Sequence, residues 1–531
     1  MLVPLRVALL ALLLAPPLLA GDWTNAGGNA ARNGQSDEVG PAAKTLAWSG
    51  GRPSIIAWQP VTSGGRVFMV RQTGFPPAGV PFEAPVVCQD LDTGAELWHF
   101  DVPYVAGDWT TWIAGCSNGL VYCSRSGNGG SVSAKLYALD QVTGAVAWVS
   151  KDPQQGGAYD GVVFAPDGDP IVAWHLKIRR FDAATGDTVW SANRVGSVSG
   201  NCGVALHGDA VYAADAAPGG HVIKRFDLAT GALQYQSPLM AGFTLQNTPF
   251  VAPDGTVYLS RTQNNLVTDF FYSFTDTGAA LLQNWFVPAA WSTSSEFAVG
   301  LDGSPYMLGA GNVVQRLDPL SGAVTATSVT IQAAAGNVTP RLAVDAAGHV
   351  FACNGGGSGG KVFCFDAALN TVWSLNMPNV NIGAPCLGQD GTLIVAGTGT
   401  DVRAYRTGMP WDDLLQGLAS GEITPELSGT GLLLPGSPVT ISLAEAAPLA
   451  ASFMFIGASE LGVPFKGGTL VPHPDLIQGP LVTDAGGGLS LASKWPPGLP
   501  SGTELWFQMW ITDAGAPHGF SASNALKATT P

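Results

Sequence analysis

The chain has few charged residues, and the basic ones are the scarcer kind. Of its 531 residues 12% are charged, with 24 Lys and Arg against 39 Asp and Glu and a formal net charge of −15. An acidic surface repels phosphate backbones. The densest basic run is Lys177, Arg179 and Arg180, whose alternation with Ile178 is typical of a strand with one solvated face. We therefore expect no nucleic-acid partner.

Beyond its first residues the chain lacks any run of about 20 apolar residues, the length of a membrane-spanning helix. Arg6, the apolar residues 7–14, two prolines at 16–17 and the small Ala20 follow the order of a secretory signal peptide. We predict a signal peptide at 1–20, with a retained anchor as the alternative. The mature protein is then expected outside a bacterial cytoplasm, secreted or periplasmic, with no transmembrane segment.

Cysteines are also few, at positions 88, 116, 123, 202, 353, 364 and 386. None has a CxxC spacing or a Cys/His partner set, so a metal site or redox chemistry is not expected. Cys353 and Cys364 flank a Gly-rich turn, and Cys116 and Cys123 flank an Asn-Gly turn. We predict that the two cysteines of each pair face each other across a hairpin and can form a disulfide.

Motifs that carry catalysis are missing as well. The histidines are scattered without HExxH spacing, no GxSxG is present, and the Gly-rich runs at 127–130 and 355–360 lack the Lys-Ser/Thr of a phosphate loop. A pair of glycosidase carboxylates stays open, because such a site can assemble from distant segments. We predict no catalytic residue, no cofactor and no metal.

The sequence is rich in one turn, which it repeats along most of its length. Residues 90–98 (DLDTGAELW) return at 140–148 (DQVTGAVAW), at 182–190 (DAATGDTVW) and, with a final Tyr, at 227–235 (DLATGALQY). Softer copies lie at 276–278, 318–322 and 366–373. The turn glycines at 94, 144, 186, 231, 278 and 322 are 42 to 50 residues apart. A regular period of this length indicates a repeat architecture.

Each copy has the residues that a tight turn between two strands needs. Asp accepts backbone hydrogen bonds, Thr reinforces the turn, and Gly takes the left-handed conformation. An apolar strand precedes the turn, and a strand ending in a large aromatic follows it. A second hairpin signal, Asp-Gly, lies upstream at 167–168, 254–255, 302–303 and 390–391. Four short antiparallel strands in about 45 residues are the composition of a β-propeller blade.

The limits of the repeat predict the number of blades. Residues 402–406 (VRAYR) occupy the third-strand position of a last unit that lacks its fourth strand. Residues 44–48 (KTLAW) end in Trp, like the fourth strands elsewhere. The interval 44–407 holds eight units of about 45 residues, whereas seven would need about 52 each. We predict an eight-bladed β-propeller over 21–407, closed by the N-terminal strand.

The D-x-x-T-G-x-x-x-W turn resembles that of the pyrroloquinoline-quinone-like (PQQ-like) repeat propellers, and residues 22–34 (DWTNAGGNAARNG) are similar to the start of many such proteins. The resemblance covers about 22–407. It implies that Trp98, Trp148, Trp190 and Trp373 pack between neighbouring blades. The family includes quinoprotein dehydrogenases and non-catalytic members, among them the propeller subunit of the outer-membrane protein assembly machinery. A quinoprotein would need calcium ligands, a catalytic Asp and often adjacent cysteines, and no residue here matches them.

The period stops after residue 407. We interpret 408–425 as a linker and 426–531 as a second module, with apolar runs at 439–443, 451–456, 488–491 and 504–511. These short strands, punctuated by Pro and Gly, predict an immunoglobulin-like β-sandwich. Residues 464–472 and 523–526 resemble an accessory module at the ends of large secreted bacterial proteins, a resemblance that implies no activity.

One strand of this module offers a candidate binding surface. In residues 504–511 one face carries Leu505, Phe507, Met509 and Ile511, and the other carries Trp506, Gln508 and Trp510. The aliphatic face is expected in the core. The two Trp side chains, about 13 Å apart on the other face, form a candidate stacking platform for a glycan. The alternative is that they pack on the propeller or under a loop.

These observations predict an all-β, non-catalytic, extracytoplasmic binding or scaffold protein. Its propeller faces would recognise an envelope protein, an extracellular protein or a glycan, and the chain is expected to be a monomer. The alternative is a secreted enzyme that acts on a sugar or polysaccharide, or a divergent quinoprotein dehydrogenase. A third hypothesis is a role in outer-membrane assembly, against which the missing lipid-anchor Cys and the additional C-terminal module argue.

Overall fold

The computed structural model describes residues 21–530 except 75–82, 128–132, 156–161, 175, 196–202, 242–247, 263–267, 291–296, 332–340, 355–359, 378–379, 381–383, 407–410, 422, 432, 434–435, 437 and 501. The predicted signal peptide and Cys202 lie outside these residues. The chain divides into two compact units, Met1–Arg406 and Thr407–Pro531. In the part that is described, no helix is long and apolar enough to cross a membrane.

The described residues of the first unit form eight antiparallel sheets of at least four strands. We number these sheets in chain order. Sheet 1 contains β2 (Ile56–Ala57), β3 (Val61–Ser63), β4 (Arg66–Gln72), β5 (Val86–Asp90) and β6 (Glu96–Phe100), and sheet 2 contains β7 (Asp108–Ser117), β8 (Leu120–Gly127), β10 (Tyr137–Asp140) and β11 (Val146–Val149). Sheet 3 contains β13 (Val162–Phe164), β14 (Pro170–Ala173), β15 (Lys177–Phe181) and β16 (Thr188–Asn193). Sheet 4 contains β17 (Ala205–His207), β18 (Ala210–Ala217), β19 (Gly220–Asp227), β20 (Leu233–Gln236) and β21 (Met240–Ala241). Two short strands, β9 (Ser133–Ala134) and β12 (Gln154–Gln155), pair with each other.

Sheets 5 to 8 repeat this pattern, and sheet 8 takes its fourth strand from the N-terminal part of the chain. Sheet 5 contains β22 (Phe250–Val251), β23 (Val257–Thr262), β24 (Thr268–Asp276) and β25 (Leu281–Ala290), and sheet 6 contains β26 (Ala298–Val299), β27 (Pro305–Gly309), β28 (Val313–Leu317) and β29 (Val324–Thr330). Sheet 7 contains β30 (Arg341–Val344), β31 (Val350–Asn354), β32 (Lys361–Phe365) and β33 (Thr371–Asn376). Sheet 8 contains β34 (Pro385–Leu387), β35 (Leu393–Ala396) and β36 (Val402–Arg406) with β1 (Thr45–Ser49). Strand β1 pairs with β36 in antiparallel register, with Thr45 opposite Arg406.

Each repeated turn forms through the contacts that its residues predict. In the turn at 90–94, Asp90 Oδ1 accepts hydrogen bonds from Thr93 N and Thr93 Oγ1, both at 2.8 Å. Gly94 has φ of 72°, a left-handed conformation that suits glycine. The same bonds recur at Asp140, Asp182 and Asp227, and with Ser in place of Thr at Asp318.

Apolar clusters join every sheet to its neighbours. Phe68 and Cys88 of sheet 1 share a cluster with Val121 of sheet 2, and comparable clusters join sheets 2 to 7 in succession. A further cluster brings together Phe351 of sheet 7, residues of sheet 8 and Val67 of sheet 1. The sheets therefore pack face to face in a closed ring, which makes this unit a β-propeller.

The second unit contains two main sheets among its described residues. One has the order β37 (Trp411–Asp413), β47 (Leu526–Thr529), β45 (Glu504–Thr512), β40 (Ala451–Gly457) and β43 (Leu476–Val482), with β46 (Phe520–Ala522) paired to β45. The other has the order β38 (Glu426–Thr430), β39 (Pro438–Ala444) and β44 (Leu489–Lys494), and β41 (Glu460–Phe465) pairs with β42 (Gly468–Pro472). Two short 3-10 turns occur among the described residues, Gln389–Gly391 in the first unit and Pro517–Gly519 in the second.

The two sheets of the second unit share one core. Phe507, Met509 and Ile511 of β45 lie in it with Leu427 of β38 and Ile441 of β39, so the aliphatic face of β45 is buried as the sequence predicts.

The predicted linker at 408–425 differs from the structure. Trp411 is buried in the core of the second unit, and β37 pairs with β47. The burial of one large aromatic side chain thus draws the first part of the expected linker into a sheet.

Candidate functional site

One end of the propeller channel is closed by the chain itself. We call residues 21–40 the N-terminal segment. Backbone N–H groups of the innermost strands donate to its carbonyl groups at 2.6–3.0 Å, in the pairs Thr62 to Trp23, Cys116 to Thr24, Leu206 to Ala30, Val251 to Ala31, Val299 to Asn33 and Val344 to Gly34. The acceptors follow the order of the sheets around the ring, and the donors lie at or near the ends of their strands. The segment therefore lies across this end of the channel.

The side chains of the N-terminal segment fill the space that the inner strands surround. Trp23 is 1% exposed and Asn25 is fully buried. Arg32 Nε donates to the Val204 carbonyl at 2.7 Å, and Asn29 Nδ2 donates to Asn33 Oδ1 at 2.7 Å. The first bond ties the segment to the residue before β17, and the second holds the segment to itself.

Buried or shielded carboxylates anchor both ends of the N-terminal segment. Asp22 accepts hydrogen bonds from Ser63 Oγ and Gly64 N, and burial raises the pKa of Asp22 to about 6. At the other end, Gly40 N donates to Asp345 Oδ2 at 2.9 Å. The same oxygen lies 2.8 Å from His349 Nδ1, and this hydrogen bond raises the pKa of His349.

Tryptophans of the outermost strands fasten several of the sheets to the part of the chain that follows them around the ring. Their Nε1 atoms donate at 2.8–3.0 Å to carbonyls of the following turn, in the pairs Trp48 to Leu91, Trp98 to Gln141, Trp148 to Ala183, Trp190 to Leu228 and Trp285 to Pro319. Trp373 donates instead to Pro41. The prediction that Trp98, Trp148, Trp190 and Trp373 pack between neighbouring sheets is confirmed, and their role is structural.

Three exposed apolar side chains lie near the ends of strands in sheets 3 and 4. We call Leu176, Val195 and Leu239 the Val195 patch; they are 45%, 69% and 49% exposed. Leu176 and Val195 are joined through the chain, because the N–H of Arg194 donates to the Leu176 carbonyl at 2.8 Å. Leu239 lies beside the β18–β19 hairpin, next to Gly219.

A buried ion pair supports this patch from below. Asp215 is fully buried, and its Oδ2 accepts hydrogen bonds from Val195 N at 3.0 Å and from Lys224 Nζ at 2.6 Å. A buried ion pair carries a large desolvation penalty and adds little net stability. Here it holds the backbone of an exposed valine in place.

The structure joins neither of the expected cysteine pairs. Cys88, Cys116, Cys123, Cys353, Cys364 and Cys386 are all buried free thiols. The strand register supplies the reason, because Cys353 lies opposite Val362 and Cys364 lies opposite Phe351. In the other hairpin Cys116 lies opposite Val121 and Cys123 lies opposite Ile113. The members of each pair are thus diagonal neighbours, for which Cα separations of about 7–8 Å exceed disulfide geometry.

The expected glycan platform is buried. Trp510 is 1% exposed and packs edge-on against Phe465 of the β41–β42 hairpin, with ring centres 4.9 Å apart. Trp506 is 9% exposed and lies in a cluster with Val471 of the same hairpin. Between them, Gln508 Oε1 accepts from Val471 N, and its amide donates to Thr469. The hairpin covers this face of β45, so neither indole offers a face for stacking.

A quinoprotein site would need converging acidic ligands for calcium. Among the described residues, no three His, Cys, Asp or Glu side chains could hold a metal ion together. The sequence has no adjacent cysteines.

Sequence reasoning missed the Val195 patch and the path of the N-terminal segment. The signal for the segment was present, because amide side chains recur every four residues at Asn25, Asn29 and Asn33 in a stretch without alternating hydrophobicity. The patch has no signal of its own, because single exposed apolar residues are common on any surface.

Comparisons with known proteins found a family model and solved structures that match part of this chain. Residues 83–289 match the family model described as outer membrane protein assembly factor BamB. No curated protein matches the chain. Solved structures that align with it include BamB from Moraxella catarrhalis (16% identity, 68% of this chain and 100% of that chain, TM-score 0.48), the computationally designed Ika8 protein (11%, 68% and 100%, 0.49) and quinohemoprotein alcohol dehydrogenase from Comamonas testosteroni (14%, 81% and 78%, 0.39).

The repeated turns and the closed ring of sheets define the class as a β-propeller. Within that class, residues 83–289 match this family model, and the turn motif resembles that of the PQQ-like repeat propellers.

Proposed function

We propose that this protein is an exported, non-catalytic scaffold that binds a protein of the bacterial envelope or extracellular space through one end face of its propeller. The Val195 patch carries the proposal. A fully buried carboxylate, Asp215, fixes the backbone of a residue whose side chain is 69% exposed. The match to a family named for outer-membrane protein assembly favours a protein partner.

We further propose that the eight sheets are the eight blades of the propeller and that β1 closes the ring. The pairing of β1 with β36 and the cluster that joins sheets 7, 8 and 1 support this proposal. For the second module we propose an immunoglobulin-like sandwich, which the shared core of its two sheets supports. The division of the chain at Arg406 supports a propeller domain that ends there.

We also propose that the protein is exported, that residues 1–20 are cleaved off, and that the mature chain is a monomer. The order of charged, apolar and small residues in 1–20 supports export. An enzyme acting on sugars is the function that the proposal competes with, and a glycan partner is the competing ligand.

The test compares Val195→Asp with a matched control, Val142→Asp. Val142 is 60% exposed and lies in the 140–144 turn, at the opposite end of a fourth strand. A new charge desolvated in an apolar interface weakens binding by about tenfold or more. We expect envelope proteins crosslinked to the wild-type chain to be retained by Val142→Asp and lost from Val195→Asp. Equal crosslinking of all three forms would reject the patch as the binding surface.

Two further measurements test the competing functions on the same preparations. Dye reduction with an alcohol or sugar after addition of pyrroloquinoline quinone and Ca²⁺ would overturn the non-catalytic assignment. Binding on a glycan array that Val195→Asp abolishes would make the ligand a carbohydrate instead of a protein.

A further inference from the structure

Gly21 lies against the side chain of Glu38. A Cβ atom placed on Gly21 would be 2.2 Å from Glu38 Oε1 and 2.7 Å from Glu38 Cδ. The nitrogen and the Cβ position of one residue share the same Cα, so the Gly21 nitrogen lies within about 5 Å of that oxygen. At this range a positive charge on the nitrogen would stabilise the carboxylate.

The surroundings of Glu38 leave its charge uncompensated. Among the described residues no Lys, Arg or His forms an ion pair with it. Partial burial, and after it the neighbouring carboxylates of Asp390, Asp37 and Asp22, raise the pKa of Glu38 to about 7. Arg406 lowers the pKa of the neighbouring Asp390 carboxyl and is not among the groups that shift the pKa of Glu38. One positive charge at the Gly21 nitrogen would relieve this repulsion.

We propose that the chain is cleaved between Ala20 and Gly21 and that the freed ammonium group of Gly21 forms an ion pair with Glu38. The inference rests on the proposed export of the protein. In the cleavage, water adds to the Ala20 carbonyl carbon and the peptide C–N bond breaks. The Ala20 carboxylate leaves with the signal peptide, and the nitrogen of Gly21 gains the protons that make it an ammonium group.

The position of this ion pair gives it a structural consequence. Beside Gly21, Asp22 is bonded to Ser63 and Gly64 at the end of β3. The Glu38 carbonyl accepts from Ala346 N of sheet 7 at 2.8 Å. The pair would therefore fasten the two ends of the N-terminal segment to each other, where the first and last sheets of the ring meet. Cleavage would then stabilise the propeller after export, because the precursor lacks the charge.

The experiment is a double-mutant cycle on the full mature chain. Four forms are compared by urea unfolding at pH 7.5: the chain that begins at Gly21, the chain that retains residues 18–20, and both forms with Glu38→Gln. Three added residues move the ammonium group up to about 10 Å away. We expect the extension to lower the folding equilibrium constant about three- to ten-fold in the native background and less than twofold in the Glu38→Gln background. Asp37→Asn, which removes an exposed neighbouring charge, should leave the effect of the extension unchanged.

An equal effect of the extension with and without Glu38→Gln would overturn the ion pair, and so would an effect that Asp37→Asn abolishes to the same degree. High salt provides a second test, because screening should reduce the effect of the extension on the folding equilibrium in the native background. The cleavage site is read separately from the intact mass of the exported protein. A mass that begins elsewhere than Gly21 would overturn the processing step, while the cycle on chains prepared with defined ends would still decide the ion pair.

Discussion

Trp190 Nε1 donates a 3.0 Å hydrogen bond to the Leu228 carbonyl, and its indole ring lies over Gly231 in the same turn. A Cβ atom on Gly231 would be 2.5 Å from Trp190 Cε3. The glycine therefore serves two purposes: it adopts φ of 72°, and it leaves room for the ring of the preceding sheet. The repeated turn is thus both a local structure and the docking site of its neighbour.

Replacing Gly231 by Ala should destabilise the propeller more than the same change at Gly208. Both glycines have positive φ, but an added Cβ at Gly208 meets nothing within 4 Å. Gly208→Ala should cost about 1–2 kcal/mol in backbone strain, and Gly231→Ala about 1–3 kcal/mol more, because the indole must shift. Chemical denaturation measures both. Equal losses would show that the ring does not depend on the missing Cβ.

Trp190→Phe and Trp190→Ala should separate the hydrogen bond from the packing. Phe keeps most of the buried ring and loses the bond to Leu228, for an expected loss of about 1 kcal/mol in the free energy of unfolding. Ala leaves a cavity in the cluster that joins sheets 3 and 4, for a loss of about 3–5 kcal/mol. If Phe were as damaging as Ala, the hydrogen bond would dominate the contact.

The stability of the first unit should fall as pH rises from 6 to 8.5. The hydrogen bond to Asp345 raises the pKa of His349 in the folded protein, so the folded state binds its proton more tightly than the unfolded state. This stabilisation is complete below the unfolded value of about 6.5 and is lost as pH rises through the folded pKa. Burial raises the pKa of Asp22 to about 6, which lowers stability with rising pH in the same direction, but mostly below pH 6, between its unfolded and folded values.

His349→Gln tests the histidine share of this slope. The variant should have a flatter dependence of the melting temperature on pH between 6 and 8.5, and Asp345→Asn should flatten it to a similar degree. A slope unchanged in both variants would assign the pH dependence to other groups.

The six described cysteines should be unreactive in the folded protein. Burial raises the pKa of Cys88 to about 12, and it raises the pKa of the other buried thiols as well. In a Cys202→Ser background, a neutral thiol reagent should label no cysteine before unfolding and six afterwards. A mass that is lower by two hydrogens, with Cys353 joined to Cys364, would contradict the register described above.

The sequence predicted the elements that depend on local chemistry. The turns formed as expected, because Asp90, Thr93 and Gly94 are close in the chain and make their bonds to each other. The aliphatic face of β45 was also predicted correctly, since a strand alternates its side chains whatever it packs against. The other face was not, because alternation places Trp506 and Trp510 together without indicating whether a hairpin covers them.

The sequence by itself determines the repeated turn, its period and the apolar face of each strand, because each of these depends on residues within one hairpin. The tertiary structure alone decides the rest. It shifts Cys353 and Cys364 out of register, buries Trp510 under Phe465, and leads the N-terminal segment across the channel. It also places the fully buried Asp215 beneath Val195. These arrangements join residues from separate strands and sheets, and their energies depend on burial and register, which no single hairpin contains.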